Sequence, residues 1–302
     1  MPPGCVSVAL IMSAPAKPPL IVIAGATASG KSALAMDLAA REGGTIVNAD
    51  AMQVYADLRV LTARPSSAEE AVVPHRLYGV RDAARPCSAA DWAVLAKAAI
   101  AEAHAGGRVS IVVGGTGLYL RTLLDGIAPV PAIDTLVRAE VRALSTDAAC
   151  AALAREDAAA AAKLMPTDTQ RIARALEVVR STAKPLAQWQ RAREGGVTAE
   201  VELRAMVVEV DPELLRARIF MRAAAMLAGG AIEEVRALLA RHLDPALPAM
   251  KAVGVREIAR LLAGEIDGAE TAARIGFETA RYAKRQRTWL RNQCADWARV
   301  VL

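Results

Sequence analysis

Gly25, Ala26, Thr27, Ala28, Ser29, Gly30, Lys31 and Ser32 satisfy the pattern G-x-x-x-x-G-K-[ST]. Small side chains let successive backbone N–H groups point into one concavity, and such a concavity holds an anion. The apolar run Leu20–Gly25 before the loop reads as a buried strand, and Leu34, Ala35 and Leu38 after it have helical spacing. A phosphate on this loop lies at a helix N-terminus, where the peptide dipoles favour negative charge. Lys31 supplies a point charge for phosphate oxygens, and Ser32 supplies a hydroxyl ligand for Mg2+.

The loop specifies phosphate binding but not the reaction. A kinase or nucleotide hydrolase needs an acidic Mg2+ partner after a later apolar strand. Here the run Val109–Val113 leads into Gly114-Gly115-Thr116-Gly117 with no carboxylate at its end. A carboxylate follows a different run instead: Asp50, just beyond Thr45–Asn48. Ligands in open α/β sheets bind beyond the carboxyl ends of the strands, so the loop, Asp50 and Thr116 are expected to share one crevice. Beside a pyrophosphate, Asp50 would hold Mg2+ or accept a proton. The alternative is an N-cap that starts a turn through Met52 and Gln53, and the spacing divides evenly between the two.

The elements that must hold these residues alternate between strand and helix. Strands at 20–25, 45–48 and 109–113 are interleaved with helices at 31–41 and 89–105. That alternation predicts an α/β fold, a P-loop NTPase-like parallel sheet with helices on both faces. After Gly126 the texture changes. Residues 134–193 show only helical patterns, broken at Pro166 and Pro185 and closed by Glu194-Gly195-Gly196. Residues 203–210 read as a strand again, and the remainder reads as helix. The expected organisation is a flexible extension over 1–18, with Pro2, Pro3, Pro15 and Pro18, then an α/β core over 19–126 and 198–302. A helical insertion over 127–197 interrupts that core.

Composition narrows the classes. Hydrophobic residues make up 54% of the 302, which suits a large buried core and excludes disorder. Net charge is +5, which permits a polyanionic partner without establishing one. Residues 271–302 concentrate that charge, with Arg274, Arg281, Lys284, Arg285, Arg287, Arg291 and Arg299 against Glu278 and Asp296. Phosphate contact and a solvated helix face explain this equally well. Cys5, Cys87, Cys150 and Cys294 form no CxxC pair and no cluster with the histidines. A disulfide frame and a zinc site are therefore not expected, and a reducing cytoplasm is. His75 and His104 read as structural. No apolar run reaches the ~18 residues of a membrane span, and Val6–Met12 lacks the basic flank of a signal peptide.

Seven ordered blocks carry a resemblance. They are GATASGKS at 25–32, NADAMQVY at 48–55, PHRLYGVRD at 74–82, GGTGLYLRTLLDG at 114–126, DTQRIARALE at 168–177, VGVRE at 253–257 and AKRQRTWLR at 283–291. In this order they resemble the bacterial tRNA dimethylallyltransferase family (tRNA isopentenyltransferases), a likeness that covers roughly residues 20–293. The resemblance implies that dimethylallyl pyrophosphate lies with its pyrophosphate on the loop and Mg2+. An adenine next to the anticodon, in tRNAs reading codons that begin with U, is flipped into a channel, and its N6 attacks the allylic carbon. Asp50 is similar to the family's general base, and Asp50, Ala51, Met52 and Gln53 to its first tRNA-contacting block. Thr116 resembles a further contact to the nucleotide. Gln170, Arg171, Ile172, Ala173 and Arg174, then Lys251, Ala252, Val253, Gly254, Val255 and Arg256, match the other tRNA-contacting blocks, and Arg138 an isolated contact. The family's catalytic arginine falls within residues 216–222, with Arg218 favoured and Arg222 next. The implied partners are dimethylallyl pyrophosphate and the tRNA anticodon stem-loop, bound by a monomer. A small-molecule kinase and an adenylate isopentenyltransferase are the alternatives.

The chemistry suits these residue types. The N6 lone pair is delocalised into the ring, and a carboxylate that takes the proton as the bond forms removes that obstacle. Departing pyrophosphate gathers negative charge, which Lys31, the loop N–H groups, Mg2+ and an arginine stabilise. Some positions depart from the family pattern: Ala26 stands for proline, Ala51 for serine, Leu61 for glycine and Arg64 for lysine.

Overall fold

The structure, a computed structural model, describes residues 17–302, so most of the expected N-terminal extension lies outside the described residues. Six parallel strands form one sheet in the order β3-β2-β4-β1-β5-β6. Central β1 (Pro19–Gly25) is buried from Leu20 to Gly25. It pairs with β4 (Ser110–Gly114) on one side and β5 (Glu202–Glu209) on the other. Outside β4 lies β2 (Thr45–Asn48), with two-residue β3 (His75–Arg76) beyond it, and β6 (Ala298–Val301) lies outside β5.

Side chains of a strand alternate between its two faces, and helices cover both. Leu20, Val22 and Ala24 point into the larger core, which includes Trp92 and Ala96 of α3 (Ala89–Ala105) and Leu120 of α4 (Gly117–Asp125). Ile21 and Ile23 point the other way, against Ala35 and Ala39 of α1 (Lys31–Glu42). A short helix α2 (Ser67–Val72) precedes β3. After β1 the chain crosses to the β2 side, whereas after β4 it crosses to β5 on the other side. The crevice between the carboxyl ends of β1 and β4 is thus the point where the winding reverses, the usual ligand position in such sheets.

Between β4 and β5 the chain leaves the sheet. Helices α5 (Thr135–Ala143), α6 (Thr146–Glu156), α7 (Ala158–Ala161), α8 (Thr169–Thr182) and α9 (Leu186–Trp189) follow one another. Val141, Leu153, Ile172 and Leu176 form a separate small core among them. The excursion begins and ends at one place, where Ile127 bridges Glu194.

Beyond β5 run α10 (Pro212–Met226), α11 (Ile232–Ala240), α12 (Val255–Leu262) and the long α13 (Gly268–Gln293). A turn at Leu227–Ala231 kinks the chain between α10 and α11, with Gly230 at φ 107. The sequence expectation of helix alone after 210 is corrected by β6. That strand is largely exposed and carries a charged Arg299, so no apolar alternation marks it.

Candidate active site

The phosphate loop turns tightly after β1, with Ser29 N–H donating to Ala26 O at 3.2 Å. Ala28 and Gly30 take left-handed backbone angles, φ 64 and φ 90. Gly30 caps α1 without any side-chain acceptor, so the first N–H groups of the helix remain available to an anion. Lys31 Nζ folds back to Ala26 O at 3.2 Å. Burial holds its ammonium down at about 8, with Asp50 opposing that shift and Arg222 adding to it. Ser29 Oγ is buried and bonded to no protein group.

Asp50 is held by a frame built from Asn48. Asn48 Oδ1 accepts the Asp50 N–H at 2.8 Å, and Asn48 Nδ2 donates to Asp50 O at 3.1 Å and Leu77 O at 3.0 Å. The Trp92 indole N–H donates to Asn48 O at 2.8 Å. Asp50 Oδ1 accepts the Met52 N–H at 2.9 Å, so one oxygen caps a turn as the alternative reading has it. The carboxylate still lines the cavity described next. Thr116 is drawn to it because Gly114 lets two backbones touch: a Cβ there would sit 2.1 Å from Ala49 O. Thr116 Oγ1 then accepts the Ala51 N–H at 3.0 Å.

These groups border a cavity of about 320 Å³. Thr27, Asp50, Thr116, Arg222, Lys251 and Tyr282 line its polar parts, and Met52, Ile219, Met226 and Ile275 its apolar wall. Arg222 reaches from α10 to donate to Thr27 Oγ1. Its guanidinium pKa is lowered by burial, against the pull of Asp50. The cavity therefore brings Asp50, the cations Arg222, Lys251 and Arg285 and an apolar wall together beside the loop, whose Thr27 lines it. It suits a small apolar group joined to phosphates, next to a proton acceptor.

The other sequence-predicted residues divide. Ala51, Ala252 and Val253 also line this cavity. Gln53 instead donates to Thr62 O and Ala63 O, both at 2.9 Å, and braces a neighbouring turn. Arg218 sits outside the cavity, near Gly30. Gln170, Ile172, Ala173 and Arg174 line a second cavity of about 530 Å³, between the inserted helices and the segment at 246–251. Arg171 is 75% exposed and pairs with Asp168 at 3.7 Å. Arg138 lies 4.0 Å from Glu177. Gly254 caps α12 with φ 102, Val255 is buried in the core, and Arg256 is exposed.

Sequence reasoning missed the polar inner face of α13. Thr279 and Tyr282 line the Asp50 cavity, and Gln286 bonds both the Thr27 N–H and Gly115 O. Burial, then Asp50, pushes the Tyr282 phenol up to about 12, with Thr116 and Gln286 beside it opposing the shift. The spacing 279, 282, 286 marks one helix face, but the cations alternating with these residues draw attention to charge. Those cations divide: Arg285 lines the Asp50 cavity, whereas Lys284, Arg287 and Arg291 line a separate cavity of about 550 Å³ behind the loop. His104 donates to Pro19 O at 3.0 Å, a structural bond.

Among the described residues no helix is long and apolar enough to cross a membrane. The IPP transferase family model matches residues 53–293, and the isopentenyl transferase model matches residues 18–84. A Zymomonas mobilis protein named tRNA dimethylallyltransferase is 50% identical, over 96% of this chain and 93% of that protein. A Sphingopyxis alaskensis protein of the same name is 57% identical, over 93% of each. Among solved structures, the Bacillus halodurans tRNA isopentenylpyrophosphate transferase superposes with TM-score 0.67 at 30% identity, covering 94% of this chain and 90% of its own. A eukaryotic dimethylallyltransferase described as acting on tRNA superposes with TM-score 0.82 at 25% identity, over 94% and 74%. With its phosphate loop, its Asp50 cavity and a match that runs nearly end to end, the chain belongs to the IPP transferase family.

Proposed function

We propose that the chain is a tRNA dimethylallyltransferase. It moves a dimethylallyl group from dimethylallyl pyrophosphate to N6 of adenine 37, next to the anticodon, in tRNAs reading codons that begin with U. The observation that carries this reading is a cavity beside the phosphate loop in which Asp50, Thr116 and Arg222 meet an apolar wall. The pyrophosphate sits on the N–H groups of the loop and α1, with Lys31 and Arg222 beside it. The dimethylallyl group lies against Met52, Ile219 and Ile275. Adenine enters from the side of Thr116 and Lys251. Its N6 forms a bond to the allylic carbon as the carbon–oxygen bond to pyrophosphate breaks, and Asp50 takes the N6 proton. Lys31 and Arg222 meet the charge that develops on the leaving group. Base extrusion from an anticodon loop costs a few kcal/mol.

The residues suit a magnesium ion carried on the substrate. The described residues hold no group of three His, Cys, Asp or Glu, whereas Ser32 offers a hydroxyl at the first turn of α1. Mg2+ typically takes one or two protein ligands and completes its shell with phosphate oxygens and water. When bound, it neutralises part of the pyrophosphate charge. The helices over 127–197 form the surface for the anticodon stem-loop, and the enzyme acts as a monomer in the cytoplasm.

The test is incubation with labelled dimethylallyl pyrophosphate and unmodified tRNA, without ATP. Label is expected in tRNA, on the adenine next to the anticodon. Label in AMP but not in tRNA would assign an adenylate isopentenyltransferase instead. Phosphoryl transfer from ATP with no prenylation would assign a kinase.

A further inference from the structure

We propose that Glu177 is a positioning residue, which gathers Arg138, Arg142 and Arg174 into a three-guanidinium grip on the tRNA backbone beyond the Asp50 cavity. This rests on the tRNA reading above. Glu177 lies on α8, whose Ile172, Leu176 and Val178 are also buried, with a side chain only 6% exposed. A carboxylate is costly there unless paired. One guanidinium would satisfy it, yet three converge. Arg142 Nε lies 3.3 Å from Oε1, and Arg174 Nη1 and Arg138 Nε lie 3.7 and 4.0 Å from Oε2.

Arg138 and Arg142 come from α5, one turn apart, and Arg174 precedes Glu177 by one turn on α8. One negative charge against three positive leaves a local excess of two. Like charges this close repel, so the carboxylate is what keeps them together. Arg138 and Arg142 approach through Nε, which leaves their Nη groups to other partners. The three side chains stay 43%, 67% and 42% exposed, in the order 138, 142, 174.

The cluster also faces the right way. Arg142, Arg174 and Glu177 line the cavity of about 530 Å³ with Gln170 and Lys251. Lys251 lines the Asp50 cavity as well. The two cavities therefore meet at one cation. A polynucleotide with a base beside Asp50 has its backbone led past Lys251 to the three arginines, whose planar forks match phosphate oxygens.

The competing explanation is that Glu177 only fastens α5 to α8. Glu177→Gln separates the two by sign. It makes the protein more positive by one charge, so attraction by bulk charge alone would tighten tRNA binding. Positioning requires the opposite: the arginines spread, tRNA affinity falls about tenfold, and the slope of log affinity against log salt becomes shallower by about one to two. The KM for tRNA rises, while kcat and the KM for dimethylallyl pyrophosphate stay near wild type. Filter-binding titrations of tRNA at several salt concentrations, with steady-state kinetics and a thermal melt, measure this. Unchanged or tighter tRNA binding by a folded Glu177→Gln protein overturns the proposal. If that variant does not fold, Arg142→Ala decides, because its side chain is exposed: an unchanged salt slope overturns the proposal and a slope shallower by about one supports it. A wild-type protein that prenylates tRNA while these variants bind normally refutes only the role of Glu177. A wild type that neither binds nor prenylates tRNA refutes the function and this role with it.

Discussion

Gln286 Oε1 accepts the backbone N–H of Thr27 at 2.8 Å, although 259 positions separate the two residues. The same amide donates through Nε2 to Gly115 O at 3.0 Å. One side chain of α13 thus ties the loop after β1 to the loop after β4, across the crevice where the sheet reverses its winding. Gln286→Ala leaves a buried N–H and a buried C=O without partners, at a cost of about 1–3 kcal/mol. Gln286→Glu keeps the acceptor for Thr27 but loses the donor and sets a negative charge beside the pyrophosphate. Both variants should melt lower, and the Glu variant should bind pyrophosphate more weakly than the Ala variant in calorimetric titration. Equal pyrophosphate affinity in all three proteins would show that this amide does not shape the loop.

Asp50→Asn keeps an oxygen for the Met52 N–H and so keeps the turn. It removes the carboxylate proposed to take the N6 proton. Single-turnover transfer to tRNA should fall on the order of 10²–10⁴-fold, with donor affinity nearly unchanged. Near-normal transfer would leave Asp50 with its capping bond alone.

Arg222 is buried and bonded to Thr27, whereas Arg218 lies outside the cavity, near Gly30. Arg222→Ala should lower kcat/KM for the donor on the order of 10²-fold, the scale of losing one preorganised charge donor. Arg218→Ala should cost less than about a tenth of that. The reverse ranking in steady-state kinetics would assign the catalytic arginine to Arg218, the residue that the family resemblance favours.

Lys31 titrates near 8 because burial disfavours its charged form. Below that pH the ammonium is present to meet pyrophosphate, and above it the free protein must take up a proton to bind. Affinity for dimethylallyl pyrophosphate should therefore be highest below pH 8 and fall by up to about tenfold per pH unit above it. Lys31→Arg keeps its charge throughout and should lose that inflection. A wild-type affinity that is flat from pH 7 to 9.5 would contradict this account.

Much of the site was legible because its determinants are local. The loop motif, the strand Thr45–Asn48 and the helix Ala89–Ala105 are all set by composition over a few residues, and the structure has those two elements at the same bounds. Asp50 and Thr116 were placed together by a topological rule, and Ala51 N–H does meet Thr116 Oγ1. What escaped depends on distant partners. Gln286 and Tyr282 are ordinary helix residues until α13 is laid over the crevice. Arg138 and Arg174 match tRNA-contact positions by resemblance, but nothing in the local pattern shows that Glu177 of α8 is buried and meets both. Edge strand β3 is only two residues long and β6 is largely exposed, so no alternation registers in either.

The tie between Gln286 and the loop also has a consequence for synthesis. The complete loop motif, Asp50 and Thr116 all lie in the first two-fifths of the chain, yet Thr27 has no acceptor until α13 emerges from the ribosome. Domains fold from the N-terminal end during translation, so the sheet around β1 and β4 can assemble early. Donor affinity should nevertheless arrive late and in a single step. Ribosome-arrested chains that have extruded β5 but not α13 should fail to retain labelled dimethylallyl pyrophosphate, and chains that have extruded α13 should retain it. A nascent protein made in this order should not hold the proposed allylic substrate before α13 has closed over the loop.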